Sequence, residues 1–179
     1  MKRKAIFLIV TAMLISVSSF SQQPVTGSAL AYPYVKGYVS FIIPWVTIDK
    51  TGATWEFQNS TKIGFPIGLN VYYGPRFGFS YEITPVIEWK KPQGKAGSSK
   101  TSNLVFDPGP IFRFNHGFNI ITRLAFETQG RYGFTPVFNK VYARTQAVDY
   151  WFSLSLPARF GNNLPASIGF NLQIGFTFN

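Results

Sequence analysis

The chain has 179 residues, with 17 Lys and Arg against 7 Asp and Glu, and it has no cysteine. Only 13% of its residues are charged, while 46% are hydrophobic and 18% aromatic; an average soluble domain is about 25% charged. The missing cysteine excludes a disulfide framework, cysteine-ligated metal sites, a thiol nucleophile and a lipid-modified cysteine, and the 16 Gly and 12 Pro argue against long helices.

The start has the form of a secretory signal. Lys2, Arg3 and Lys4 form a positive region, Ala5 to Val17 is an apolar run too short for a comfortable span, and small residues lead to Ser21. Cleavage near Ser21 leaves 158 residues, with 14 basic side chains against 7 acids and a net charge of +7. After Val17 no stretch has the continuous apolar run of a membrane helix. Barrel strands give a much weaker signal per segment, so this does not count against them.

Gln22 to Ala31 is a polar lead-in, and from Tyr34 the chain alternates. In Tyr34 to Ile48, the residues Val35, Val39, Phe41, Ile43 and Trp45 share one parity, and Lys36, Tyr38 and Ser40 the other. Pro44 marks a bulge or the rim. The second strand is Lys62 to Tyr73, the third Arg76 to Trp89, and the fourth Ser102 to Asn115. The fourth is interrupted by Asp107-Pro108-Gly109-Pro110. Then come Phe118 to Thr128, Tyr132 to Tyr142 and Val148 to Phe160.

The last stretch, Pro165 to Asn179, is decisive. Ile168, Phe170, Leu172, Ile174, Phe176 and Phe178 alternate without a break against Ser167, Gly169, Asn171, Gln173, Gly175 and Thr177. Period two means one apolar and one polar face. A soluble sheet turns Lys and Glu toward water, whereas this polar face is small and uncharged, as the interior of a narrow barrel requires. The apolar face then points outward to lipid.

These segments predict an all-β protein: an antiparallel transmembrane β-barrel of about eight strands over residues 22–179, preceded by a cleaved signal peptide at 1–21. Lipid tolerates no open sheet edge, so the sheet must close. An even count puts both ends on the periplasmic side, with short connections there at Gly74-Pro75 and His116-Gly117 and the long Lys90 to Thr101 connection outside. Ten strands, with Thr54 to Ser60 as an extra one, is the alternative.

Signal, alternating strands and an aromatic closing strand together resemble the small outer-membrane barrels of Gram-negative bacteria, the OmpA-type and OmpX-type group. The resemblance covers nearly all of the mature chain and is architectural. It implies location in the outer membrane, a lipid environment with anionic glycolipid, and insertion by the barrel-assembly machinery. In that group the closing strand commonly ends on Phe; here Phe178 is followed by Asn179.

The inward parity set collects charges of both signs: Arg76, Glu82, Glu88, Asp107, Arg113, Arg123, Glu127 and Asp149, with Arg159 a further candidate. An eight-stranded barrel is just wide enough for side chains to fill it, and unpaired charges there are costly. The set therefore reads first as a paired network, with an ion path or a catalytic carboxylate pair as the alternatives. Glu82 and Glu88 lie about 20 Å apart on one strand, so each needs its own partner, and Arg113 and Arg123 are nearest in strand order.

His116, the only histidine, sits in a tight turn with no companion Ser and Asp. The palmitoyl-transferring outer-membrane barrel, an enzyme of similar size, has such residues near its outer rim. Lys90, Lys91, Lys95 and Lys100 form a basic stretch suited to anionic lipid or an acidic partner. They lack interleaved aromatics, so no nucleic acid is expected. No cofactor or metal motif occurs. The leading function is a non-enzymatic structural or surface-interaction role. A narrow channel for small solutes or ions comes second and an envelope-lipid enzyme third.

Overall fold

The computed structural model describes residues 31–56, 60–90 and 98–179. The signal segment 1–21 and residues 22–30 lie outside the described residues. Twelve antiparallel segments form one sheet: β1 (Tyr34–Asp49), β2 (Gly52–Trp55), β3 (Ser60–Gly64), β4 (Ile67–Tyr72), β5 (Phe77–Lys90), β6 (Ser98–Phe106), β7 (Gly109–Arg113), β8 (Phe118–Glu127), β9 (Tyr132–Arg144), β10 (Val148–Ser155), β11 (Ala158–Phe160) and β12 (Ser167–Phe178). They make eight staves, because β2, β3 and β4 all pair with β1, β6 and β7 both pair with β5 and β8, and β10 and β11 both pair with β9 and β12. Pairing of β12 with β1, from Tyr38↔Thr177 to Asp49↔Ser167, closes the barrel. The start of the Thr54 to Ser60 segment, the extra strand of the ten-stranded alternative, pairs with β1 as the far end of the second stave.

Three staves break at a proline, at Pro66, Pro108 and Pro157. Proline cannot donate to the ladder, but each of these carbonyls still accepts. Ser40 N donates to Pro66 O at 2.9 Å, Leu124 N to Pro108 O at 2.8 Å and Gly169 N to Pro157 O at 2.7 Å. The wall therefore stays shut at each break. In β1 the register with β12 shifts between Pro44 and Val46, leaving Trp45 as the bulged residue.

Burial is inverted relative to a soluble domain. Phe41, Ile43, Leu69, Ile83, Leu124 and Ile174 are exposed, while Ser80, Glu82, Arg123, Ser153, Gln173 and Thr177 are buried. Monomeric soluble proteins rarely expose continuous apolar surface on this scale; it is the surface of a barrel that spans lipid. Exposed Trp45, Trp55 and Trp89 lie toward one end of the staves, and Tyr73, Phe77, Phe112 and Phe114 toward the other, as interfacial aromatic belts do. Among the described residues no helix is long and apolar enough to cross a membrane.

Both ends of the barrel chain, Tyr34 and Phe178, lie at the second end, together with the turns around Pro75, His116 and Gln146. The connections around residues 50–51, 128–131 and 161–166 lie at the other.

Candidate functional site

The lumen is filled in layers. At mid-height Glu82 from β5 meets Arg123 from β8, with Arg123 Nη1 3.0 Å from Glu82 Oε2. Tyr38 OH donates to the same carboxylate oxygen at 2.8 Å, and Thr84 Oγ1 donates to Glu82 Oε1 at 3.2 Å. Arg123 Nη2 donates to Tyr38 OH at 3.1 Å. Glu82 is 1% exposed and Arg123 3%, so neither has water to fall back on.

The next layer, toward the end away from the termini, centres on Arg159 of β11. Its Nε donates to Glu127 Oε1 at 2.7 Å, Nη1 to Thr135 Oγ1 at 3.0 Å, and Nη2 lies 4.0 Å from Asp107 Oδ1. Asn103 Nδ2 donates to the second Glu127 oxygen at 2.9 Å. Two carboxylates from two staves thus converge on one guanidinium.

On the other side of the Glu82 layer, large side chains close the lumen. Tyr38 lies edge-on to Trp151, with ring centroids 6.0 Å apart. Trp151 Nε1 donates to Thr177 Oγ1 at 2.9 Å, and Gln173 Nε2 to Ser40 Oγ at 2.8 Å. Two inward glycines make room for the rings. A Cβ on Gly68 would come within 2.3 Å of the Tyr38 ring, and one on Gly175 within 2.3 Å of Trp151.

Below this floor a cavity opens at the terminus-bearing end, lined by Tyr34, Lys36, Tyr72, Arg113, Arg144 and Asp149 among others. Arg113 Nη1 donates to Tyr34 OH at 2.9 Å, and its guanidinium lies 4.6 Å from the centre of the Tyr72 ring. Lys36 Nζ is 3.6 Å and Arg144 Nε 3.8 Å from Asp149.

Of the inward charges read from sequence, Glu82 and Arg123 come together, Asp107 and Glu127 share Arg159, and Asp149 meets Lys36 and Arg144. Arg113 meets tyrosines instead of a carboxylate. Glu88 stands in register between Lys62 and Lys100 on its neighbouring strands.

Two expectations need correction. Arg76 is exposed and outside the lumen. The turn after β4 runs on until β5 begins at Phe77, so strand parity does not apply to Arg76. Its carbonyl accepts from Arg113 N at 2.9 Å. Lys100 is not in a loop but on β6, because the β5–β6 hairpin extends to pair Lys90 with Ser98. Lys91 and Lys95 lie outside the described residues.

Sequence reasoning overlooked Trp151, Lys36 and Arg144 as lumen or rim groups. The signal was present for two of them. Trp151 falls on the parity of Asp149 and Ser153, and Lys36 on that of Tyr38 and Ser40. Arg144 lies beyond the strand expected at Tyr132 to Tyr142 and is the last residue of β9.

His116 is exposed, in a left-handed turn conformation (φ 60°), and its carbonyl accepts from Lys140 Nζ at 2.7 Å. Among the described residues no group of three His, Cys, Asp or Glu side chains is placed to hold a metal ion.

No protein-family model matches the chain, and no curated protein does either. Among solved structures, the fold is similar to the outer membrane protein OprG from Pseudomonas aeruginosa. That match has a TM-score of 0.43 and 8% identity, over 83% of this chain and 97% of that one. It is also similar to Ail, the attachment invasion locus protein of Yersinia pestis, solved in complex with the heparin analogue sucrose octasulfate. There the TM-score is 0.44 and the identity 9%, over 80% of this chain and 96% of that one.

Proposed function

We propose that this chain is an integral outer-membrane barrel with a structural or surface-interaction role, and that it is neither an enzyme nor an open pore. One observation carries this reading: an apolar exterior around a lumen blocked by hydrogen-bonded side chains, from Arg159 through Glu82 and Arg123 to Trp151. A channel needs a water-continuous axis, and a hydrolytic enzyme needs a nucleophile and base within hydrogen-bond reach of each other. His116 lies in an exposed turn, remote from Ser80 and Ser153 in the lumen.

Short turns at the terminus-bearing end support placing it on the periplasmic side, where bacterial barrels put their short turns. The basic β5–β6 hairpin end, with Lys90 on β5 and Lys100 on β6, then belongs to the outer face. There it supplies contacts for anionic glycolipid or an acidic partner surface.

The test is twofold. The mature protein fractionates with outer membrane and changes gel mobility on boiling, because a closed barrel resists detergent. In planar bilayers it shows no steady conductance. Recovery as a soluble periplasmic monomer overturns the membrane reading, and steady conductance replaces the structural role with a channel.

A further inference from the structure

The cavity at the terminus-bearing end has an imbalance that the rest of the lumen does not. Arg123 is matched by Glu82, and Arg159 by Glu127 and Asp107. Around the cavity, Lys36, Arg113 and Arg144 face a single carboxylate, Asp149. Asp149 is divided between Lys36 at 3.6 Å and Arg144 at 3.8 Å, both too long for a good hydrogen bond, and Lys36 Nζ donates to the neutral amide oxygen of Asn179. Arg113 meets no carboxylate among the described residues. Its one side-chain hydrogen bond there goes to a neutral phenol, and its face rests on another. A guanidinium has five N–H donors in a fixed fork matched to an oxyanion, so most of this fork is uncommitted.

The surroundings strengthen the imbalance. The cavity has Tyr38 and Trp151 among its lining residues and is walled by strands whose outer faces are apolar. A cleft lined by charge of one sign within low-dielectric walls focuses its field and concentrates counter-ions. The two tyrosines hold the Arg113 side chain in place, so little rotamer entropy is lost when a ligand binds.

We propose that this vestibule is a binding site for a small soluble oxyanion, a carboxylate or phosphate, with Arg113 as the principal ligand and Lys36 and Arg144 as supporting charges. The site lies on the barrel axis behind the strand wall, which puts lipid phosphates out of its reach. Asp149 acts as a competitor that the ligand must displace from Lys36 and Arg144.

The experiment is calorimetric titration of the folded, detergent-solubilised barrel with citrate and, separately, with inorganic phosphate at low ionic strength. At least one binds saturably. Arg113→Ala weakens that binding by about tenfold or more, as expected for loss of a charge-assisted contact. Asp149→Asn tightens it, and Lys100→Ala at the opposite end leaves it unchanged. Fold is checked by the boiling-dependent gel shift. Should Arg113→Ala lose that shift, the exposed Arg144→Gln replaces it, with the same expected direction. The proposal is overturned if neither probe saturates, if the arginine variant binds as the parent does, or if Asp149→Asn weakens binding. None of these outcomes bears on the membrane location of the barrel, which gel mobility and fractionation decide separately.

Discussion

Glu82 and Arg123 show what a buried ion pair requires. Removing two charges from water costs several kcal/mol per ion, and their attraction offsets this only with good geometry and further hydrogen bonds. Here Tyr38 and Thr84 supply those bonds to the carboxylate. Breaking the pair leaves an uncompensated charge, so Glu82→Ala or Arg123→Ala should each cost about 3–5 kcal/mol, read as a lower urea midpoint in lipid or detergent. The double variant should lose much less than the two single losses added together. Gly175 is a steric counterpart. Alanine there puts a Cβ 2.3 Å from Trp151 and 2.7 Å from Ser40. Overpacking of this kind costs about 1–3 kcal/mol, so Gly175→Ala should lower the midpoint and alter the near-ultraviolet circular dichroism of Trp151.

At the scale of the element, β12 pairs on both edges, with β1 and with β10, and alternates strictly between exposed or half-buried apolar residues and buried or half-buried polar ones. Leu172 and Gln173 are neighbours in sequence with opposite environments: one faces lipid and the other is 2% exposed inside the lumen. Arg at a lipid-facing mid-membrane position costs about 2–4 kcal/mol. Leu172→Arg should show that loss in equilibrium unfolding from lipid vesicles, with the loss shrinking in thinner bilayers. Gln173→Arg should be resisted by crowding, and its cost should not depend on bilayer thickness. Equal dependence on thickness at both positions would mean that the two faces are misassigned.

For the whole molecule, closure and plugging are separate achievements. The backbone ladder from β1 round to β12 satisfies the wall, which lipid demands. The lumen is shut by side chains contributed from several staves, with Tyr38 and Trp151 the bulkiest at the floor. Closure should therefore survive removal of the plug. The Tyr38→Ala/Trp151→Ala double variant is expected to keep its boiling-dependent gel shift while gaining ion conductance in planar bilayers relative to the parent. Loss of the gel shift together with the plug would show that the interior holds the wall together.

Which face of each strand meets lipid was legible in the sequence, because alternation is a local property: residues two apart share a face whatever surrounds them. The uncharged polar set of β12, the tight turn at His116 and the irregularity at Pro44 are local in the same sense. The pairing inside the barrel is not. Arg123 and Tyr38 are 85 positions apart, and their meeting depends on the stagger of eight staves and the width of the lumen. For this reason Arg123, not Arg113, became the partner of Glu82. Arg159 gathered two carboxylates, and Trp151 fitted only where Gly175 left space. Arg76 carried the inward parity yet stayed outside, since parity has meaning only where a strand exists. The three proline breaks look like gaps along the chain. Only the neighbouring strands, whose N–H groups reach the proline carbonyls, decide that the wall is continuous.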